Sequence, residues 1–262
     1  MSTATQQEIF NRSTLLLGKD GMQSLREARI IIFGVGGVGS WCAEGLIRAG
    51  VSHLTIVDSD KVCPTNINRQ LMATQLTIGQ AKVDAMKQRL LEINPEAEIQ
   101  AIDAMYTEES ASTFHLEQYD YVIDCIDSLR DKCDLILRTT SMSRPTLLSS
   151  MGAALRIDPT RVRMAEFRKV EGDALARAVR NRFKKAKTFP QRKFLCVYSE
   201  EPAMQNQPNE DTLQEELKFN KVQNNLICTF FQQFNCSCKG YCFTAISTHI
   251  FFYILVNNHI DF

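Results

Sequence analysis

Residues 28–82 read ARIIIFGVGGVGSWCAEGLIRAGVSHLTIVDSDKVCPTNINRQLMATQLTIGQAK. Ala28–Phe33 is a short β-branched run that ends in glycines, which predicts a buried parallel strand. Val38–Ala49 follows, with Trp41, Cys42, Leu46 and Ile47 at helical spacing, and Gly50 stops that helix. His53–Val57 is a second strand closed by Asp58. A strand, a glycine turn, a helix and a second strand within thirty-odd residues form a βαβ unit, and its glycine turn is where phosphates meet helix N–H groups.

The pattern continues outward in the same rhythm. Ile78–Ile93 reads as a helix ended by Asn94-Pro95, and Ala97–Ile102 as a strand. Thr107–Phe114 reads as a helix with Thr107 as N-cap. Tyr119–Ile123 is a strand ending at Asp124, Ser128–Ser141 a helix and Thr146–Ser149 a strand. Val162–Phe167, Asp173–Lys185 and Phe194–Tyr198 add strand, helix and strand. The fold class expected is α/β, a doubly wound, mostly parallel Rossmann-like sheet. The expected organisation is an N-terminal arm over 1–27, an α/β domain over 28–205 and an atypical tail over 206–262.

The tail differs in kind. From Val222 to Phe262 the only charged side chains besides His249 and His259 are Lys239 and Asp261, and no period of 2 or 3.6 persists. One reading is a membrane or interface segment. The best apolar stretch, Tyr241 to Val256, is interrupted by Thr244, Ser247, Thr248 and His249 and is short for a span of about 20 residues. The other reading, which we favour, is a frameshift near residues 212–220. No membrane span is expected.

Composition excludes several classes. The 262 residues carry 30 Lys or Arg against 30 Asp or Glu, so no bulk charge draws the chain to nucleic acid or membrane. Met1 to Phe10 is polar and lacks the apolar core of a secretory signal. Nine cysteines are scattered without a CxxC pair, which argues for reduced thiols, a cytoplasmic location and no four-cysteine zinc site.

The chemistry concentrates after the glycines. Gly34, Gly36, Gly37 and Gly39 give four glycines in six residues, more than a tight turn alone requires. Asp58, 19 residues after Gly39, can accept two ribose hydroxyls, whereas Asp60 reads better as a helix cap. Asn66, Asn68, Arg69 and Gln70 stand just past the strand end, and Lys82 opens a helix. Hydride transfer needs no such cluster. Activation of a carboxylate by ATP does, because charge develops on the α-phosphate and on pyrophosphate as they separate. Asp124 and Asp127 end the fourth strand. Asp127 is the leading candidate for holding Mg²⁺ against phosphates, with Asp124 in support, and capping of the next helix is the alternative. Arg12 precedes Leu15-Leu16-Leu17-Gly18 and reads equally as a surface arginine or an arm toward another subunit's site.

Residues 161–193 carry 12 Lys or Arg against three acids, and Arg177, Arg180, Lys184 and Lys187 recur at helical spacing. RNA contact and a solvated helix face weigh about equally there. Cys196 reads as a small buried hydrophobe in a strand, and Cys63, beside the Asn/Arg cluster, is the better thiol by position.

Taken together, these segments resemble the ThiF/MoeB/HesA superfamily of ATP-dependent adenylating enzymes over roughly residues 8–205. The resemblance rests on Asn11-Arg12 with Leu17-Gly18, GVGGVGSW at 34–41, HLTIVDSDKV at 53–62, TNINRQ at 65–70, IGQAK at 78–82, INPE at 93–96 and DCIDS at 124–128. GVGGVGSW, the IDS ending and CVYSEE at 196–201 point within it to the tRNA threonylcarbamoyladenosine dehydratase group. The resemblance implies ATP bound at Gly36, Asp58, Asn66, Arg69 and Lys82, with Mg²⁺ near Asp127. It implies a homodimer in which Arg12 reaches the partner's ATP. The substrate would be the threonylcarbamoyl carboxylate on adenosine 37 of tRNAs reading ANN codons, adenylated and then closed to a cyclic form. A sulfur-relay protein is a further partner of such enzymes. The runner-up is an activating enzyme for a ubiquitin-like sulfur-carrier protein in thiamin or molybdopterin synthesis. A NAD-dependent oxidoreductase would need a substrate domain that is not visible.

Overall fold

The computed structural model describes residues 5–203. The expected tail over 206–262, with its frameshift reading, lies outside the described residues. Helix α1 (Gln6–Ile9) and helix α2 (Asn11–Glu27) form the arm, and α2 is broken at Gly18, whose φ of 71° departs from the helix. Strand β1 (Arg29–Phe33), helix α3 (Gly37–Ala49) and strand β2 (His53–Val57) follow as expected. Next come α4 (Lys82–Ile93), β3 (Glu98–Ile102), β4 (Tyr121–Asp124), α5 (Leu129–Ser141) and β5 (Thr146–Ser150). The described chain ends with β6 (Val162–Glu166), α6 (Ala174–Ala186) and β7 (Leu195–Ser199).

The strands form one seven-stranded sheet in the order β3-β2-β1-β4-β5-β7-β6. All pairings are parallel except β6 with β7, which is antiparallel. The direction of winding reverses between β1 and β4, and a parallel sheet opens its ligand crevice beyond the carboxyl ends at such a switch point.

The alternation of β1 divides the core. Ile30 and Ile32 face a cluster built with Leu46 and Ile47 of α3 and Val83, Met86 and Leu90 of α4. Ile31 and Phe33 face the other layer, with Leu135 and Ile136 of α5 and Val179 and Phe183 of α6. Strands buried on both faces need apolar residues at every position, which is why RIIIF shows no polar alternation.

Several boundaries depart from expectation, among them the strand expected from Tyr119, which starts at Tyr121. The helix expected from Ile78 starts at Lys82, because Gly79 takes a φ of 87° and the Lys82 N–H donates to the Asp60 carbonyl. The helix expected over Thr107–Phe114 is a 3₁₀ turn over Ala111–Phe114. Thr107 and Ser110 bond each other's backbone N–H groups through their side-chain oxygens, a local alternative that competes with helix formation. The strand expected through Phe167 ends at Glu166.

One buried polar network fastens β4, β5 and α5. Lys132 of α5 is fully buried and donates to Asp124 Oδ2 at 2.7 Å and to the Ser150 carbonyl at 2.9 Å. The Ser149 hydroxyl donates to the same Asp124 oxygen at 2.6 Å, and Asp124 Oδ1 accepts from the Ile126 N–H. Removing one partner of a buried pair strands the other charge without water. Lys132→Met should therefore lower the unfolding free energy by about 3–5 kcal/mol in urea denaturation. The double variant Lys132→Met with Asp124→Asn should recover part of that loss.

Candidate active site

The glycine turn is held to its neighbours by backbone. The Gly34 N–H donates to the Val57 carbonyl and the Cys125 N–H to the Phe33 carbonyl. Gly34 has a φ of 89°, and a Cβ there would stand 2.7 Å from the Cys125 carbonyl oxygen. At Gly39 a Cβ would lie 1.9 Å from the Gly34 carbonyl oxygen. Both positions are closed to any side chain. Gly36 is different, since its open side meets only Gln70 Nε2 at 3.9 Å. Helix α3 starts immediately beyond, so its first turn presents N–H groups to an anion over the loop.

Asp58 closes β2 and turns into this site. One carboxylate oxygen accepts from the Val35 N–H at 2.7 Å and the other from the Asp60 N–H at 2.9 Å. Each oxygen keeps acceptor capacity for a hydroxyl. Burial pushes the Asp58 carboxyl above its ordinary value, with the Lys82 ammonium and the two N–H groups opposing that rise.

Lys82 is buried at the start of α4. Its ammonium is 2.7 Å from Asp60 and 4.0 Å from Asp58. The capping role expected for Asp60 is corrected here: Ala81 occupies the N-cap of α4, and Asp60 instead pairs with Lys82.

The segment between them supplies the rest. Asn66 is buried, and its side-chain oxygen accepts from the Cys63 N–H. Arg69 donates to the Thr65 carbonyl at 2.8 Å and to Asn68 at 3.0 Å. Burial lowers the Arg69 pKa, and the Asp127 carboxylate counteracts that fall, so these two opposite charges act on one another across the site. Gln70 is 94 % buried with its side-chain oxygen unpartnered among the described residues, beside the open face of Gly36.

Trp41, Ser40 and Leu71, none of them a site candidate from the sequence, also build this site. The Trp41 indole N–H donates to the Arg69 carbonyl, Ser40 Oγ donates to the Gly36 carbonyl, and the Leu71 N–H donates to Ser40 Oγ. Together they fasten the Asn66–Leu71 segment to the glycine loop. A single tryptophan next to the glycines was the available signal, masked by its place on an apolar helical spacing.

Gly34, Gly36, Gly37, Gly39, Asp58, Asn66, Arg69, Lys82 and Asp127 thus surround the carboxyl ends of β1, β2 and β4. Asp127 is exposed, whereas Asp124 turns into the core network and takes no place in the crevice. Arg12 is exposed on α2 and makes no hydrogen bond or ion pair among the described residues. The basic stripe is reduced: Arg180 donates to the Phe167 and Val170 carbonyls, and Arg192 to those of Thr139, Thr140 and Pro145. Cys196 is buried, with its thiol pushed well above its ordinary value by burial, and Cys125 and Cys133 are pushed up to about 12 by the same cause. Cys63 is the exposed cysteine among the described residues. No group of three or more metal-ligating side chains occurs among them, and no helix there is long and apolar enough to cross a membrane.

Gly39→Ala should abolish binding of a fluorescent ATP analogue, because its methyl group cannot coexist with the Gly34 carbonyl. Brief iodoacetamide treatment followed by peptide mapping should label Cys63 while Cys42, Cys125, Cys133 and Cys196 stay unmodified until the chain is denatured.

The ThiF family profile matches residues 10–214. The tRNA threonylcarbamoyladenosine dehydratase of Bacillus subtilis is 44% identical over 176 residues, 67% of this chain and 69% of that protein. The molybdopterin-synthase adenylyltransferase of Escherichia coli is 31% identical over 60% of this chain and 64% of that protein. Among solved structures, the tRNA N6-threonylcarbamoyladenosine dehydratase of E. coli in complex with AMP superposes with a TM-score of 0.78 at 28% identity over 98% of both chains. Its ATP complex superposes with a TM-score of 0.74 at 27% identity over 98% of this chain and 100% of that one. The family match runs from the arm through β7 and takes in the whole crevice, and the chain belongs to the ThiF family.

Proposed function

We propose that this chain is an ATP-dependent tRNA threonylcarbamoyladenosine dehydratase, which adenylates the threonylcarbamoyl carboxylate on adenosine 37 of ANN-decoding tRNAs and closes it to a cyclic form. The observation that carries the reading is the placement of Arg69, Lys82 and Asp127 beyond the carboxyl ends of the strands that present the glycine loop, whose open face adjoins the Gln70 amide nitrogen. The higher identity to the dehydratase than to the molybdopterin-synthase enzyme favours tRNA over a sulfur-carrier protein as the acceptor.

The residues divide the work as follows. The glycine loop and the first turn of α3 receive phosphate oxygens. Asp58 accepts the ribose hydroxyls. Asn66 orients the segment that carries Arg69. Arg69 and Lys82 face the charge that grows on the α-phosphate and on the departing pyrophosphate, and both are already held by protein partners before that charge appears. Asp127 is the group that would hold Mg²⁺, which supplies further positive charge to the phosphates when bound. A single exposed carboxylate suits that ion, because it keeps several waters and takes its other ligands from substrate.

The adenylation domain spans 28–205 and the arm 1–27. A homodimer fits the arm, on which Leu15 and Leu16 are 80% and 81% exposed close to Arg12, as a partner would cover. In that dimer Arg12 reaches the partner's ATP. The protein acts in the cytoplasm, and a sulfur-relay protein is a further partner.

Incubation with ATP, Mg²⁺ and tRNA carrying threonylcarbamoyladenosine, then mass spectrometry of the digested nucleosides, should show loss of one water from the modified nucleoside. An unchanged nucleoside, with adenylation of a carrier protein ending in Gly-Gly, would instead establish the carrier-activating reading. Arg69→Ala and Lys82→Ala should each slow dehydration by about 10²–10³ while circular dichroism stays that of the parent.

A further inference from the structure

A second concave feature lies away from the crevice. The segment Phe189–Lys193 leads into β7 at its amino end, whereas Gly34, Asp58 and Cys125 follow the carboxyl ends of strands running in the same direction. The two regions therefore sit on opposite edges of the sheet, roughly 15 Å apart along five-residue strands. Here a groove of about 440 Å³ is lined by Phe189, Arg168, Lys184 and Lys193, with Phe167 and Phe194 forming its floor. The volume is that of a small-ligand pocket.

Phe189 is the unusual member. It is 54% exposed, although its neighbours Phe167, Phe183 and Phe194 are buried. It is also held in place. Lys187 ends α6 in the left-handed conformation, its N–H and that of Thr188 donate to the Phe183 carbonyl, and Pro190 follows Phe189. Beneath it Phe167 and Phe194 stack at 4.9 Å, with the Arg180 guanidinium 5.7 Å over the Phe167 ring.

The rim is positive. Arg168, Lys184 and Lys193 form no ion pair among the described residues, and the lone acid of the lining, Glu166, caps the turn at Arg168 through its backbone N–H. A cation in the last turn of α6 complements the helix dipole, which accounts for Lys184. It does not account for Arg168 or Lys193, which come from other elements onto the same groove.

We propose that this groove is an RNA-anchoring subsite, in which an unpaired base stacks on Phe189 and its flanking phosphates meet Arg168, Lys184 and Lys193. An exposed aromatic face bordered by unpaired cations is the chemistry that recognises single-stranded nucleotides, and such stacking tolerates any base. The subsite rests on the tRNA-modifying reading and deepens it. It holds a nucleotide remote from the one that reacts, so it contributes to tRNA affinity and not to the chemical step.

The test uses the full chain. Phe189→Trp should place an indole in the groove whose fluorescence is quenched by tRNA and by a short oligouridylate. Phe189→Ala should weaken tRNA binding about tenfold or more. It should raise KM for modified tRNA, leave kcat at saturation unchanged and leave ATP affinity unchanged. Lys184→Ala with Lys193→Ala should reduce the slope of log affinity against log salt by about 1.5. If Phe189→Ala binds tRNA as the parent does, the subsite is wrong while the dehydratase reading stands. If oligouridylate binding depends on Phe189 but no tRNA is dehydrated, the subsite stands and the dehydratase reading fails. Polyglutamate binding that depends on Phe189 would overturn the proposal in favour of an acidic protein segment. Conversion of a dimer to monomer by Phe189→Ala in sedimentation would overturn it in favour of a second copy.

Discussion

Two backbone turns, one after β1 and one after β4, touch so closely at Gly34 and Cys125 that a single methyl group would force them apart. Everything in the crevice is referred to that contact. The β4 turn carries Asp127, and its path is set from below by Asp124, which accepts from the Ile126 N–H while Lys132 and Ser149 hold the carboxylate. The β1 turn carries the glycine loop. Because both turns are fixed by main chain and by buried groups, the backbone spacing between the loop and residue Asp127 is a property of the core.

The charges in the crevice are arranged before any substrate arrives. Lys82 lies between Asp58 and Asp60, and Arg69 is held by the Thr65 carbonyl and Asn68 under the field of Asp127. Cations restrained in this way lose little freedom when phosphate charge develops near them, which makes a fixed site effective where mobile water is not. Trp41 and Ser40 have no charge to offer. They fasten the segment that bears Arg69 to the helix that follows the glycine loop.

Much of this was legible in the sequence, for physical reasons that differ by element. The strand β1 was plain because burial on both faces demands an unbroken apolar run, and Gly34 and Asp58 could be placed because they follow strand ends directly. The start of α4 was not, because Ile78 and Ala81 continue the helical spacing while Gly79 and the Asp60 carbonyl decide the backbone. Thr107 and Ser110 misled in the same manner, since their mutual hydrogen bonds are invisible to a count of propensities. Long-range pairings lay furthest from view. Nothing local distinguishes Lys132, fully buried on Asp124, from the exposed lysines of α6, nor Arg180, spent on two carbonyls, from its neighbours in the basic stripe.

The strand order has one more consequence. From β1, which opens the glycine loop, to β7, which begins beside Phe189, the sheet crosses three hydrogen-bonded steps, through β4 and β5. Each step is fixed at about 4.8 Å by backbone geometry. The sheet therefore works as a ruler: loops at either edge can lengthen or change sequence, yet the span between its two grooves is graduated in whole strands and cannot drift by fractions.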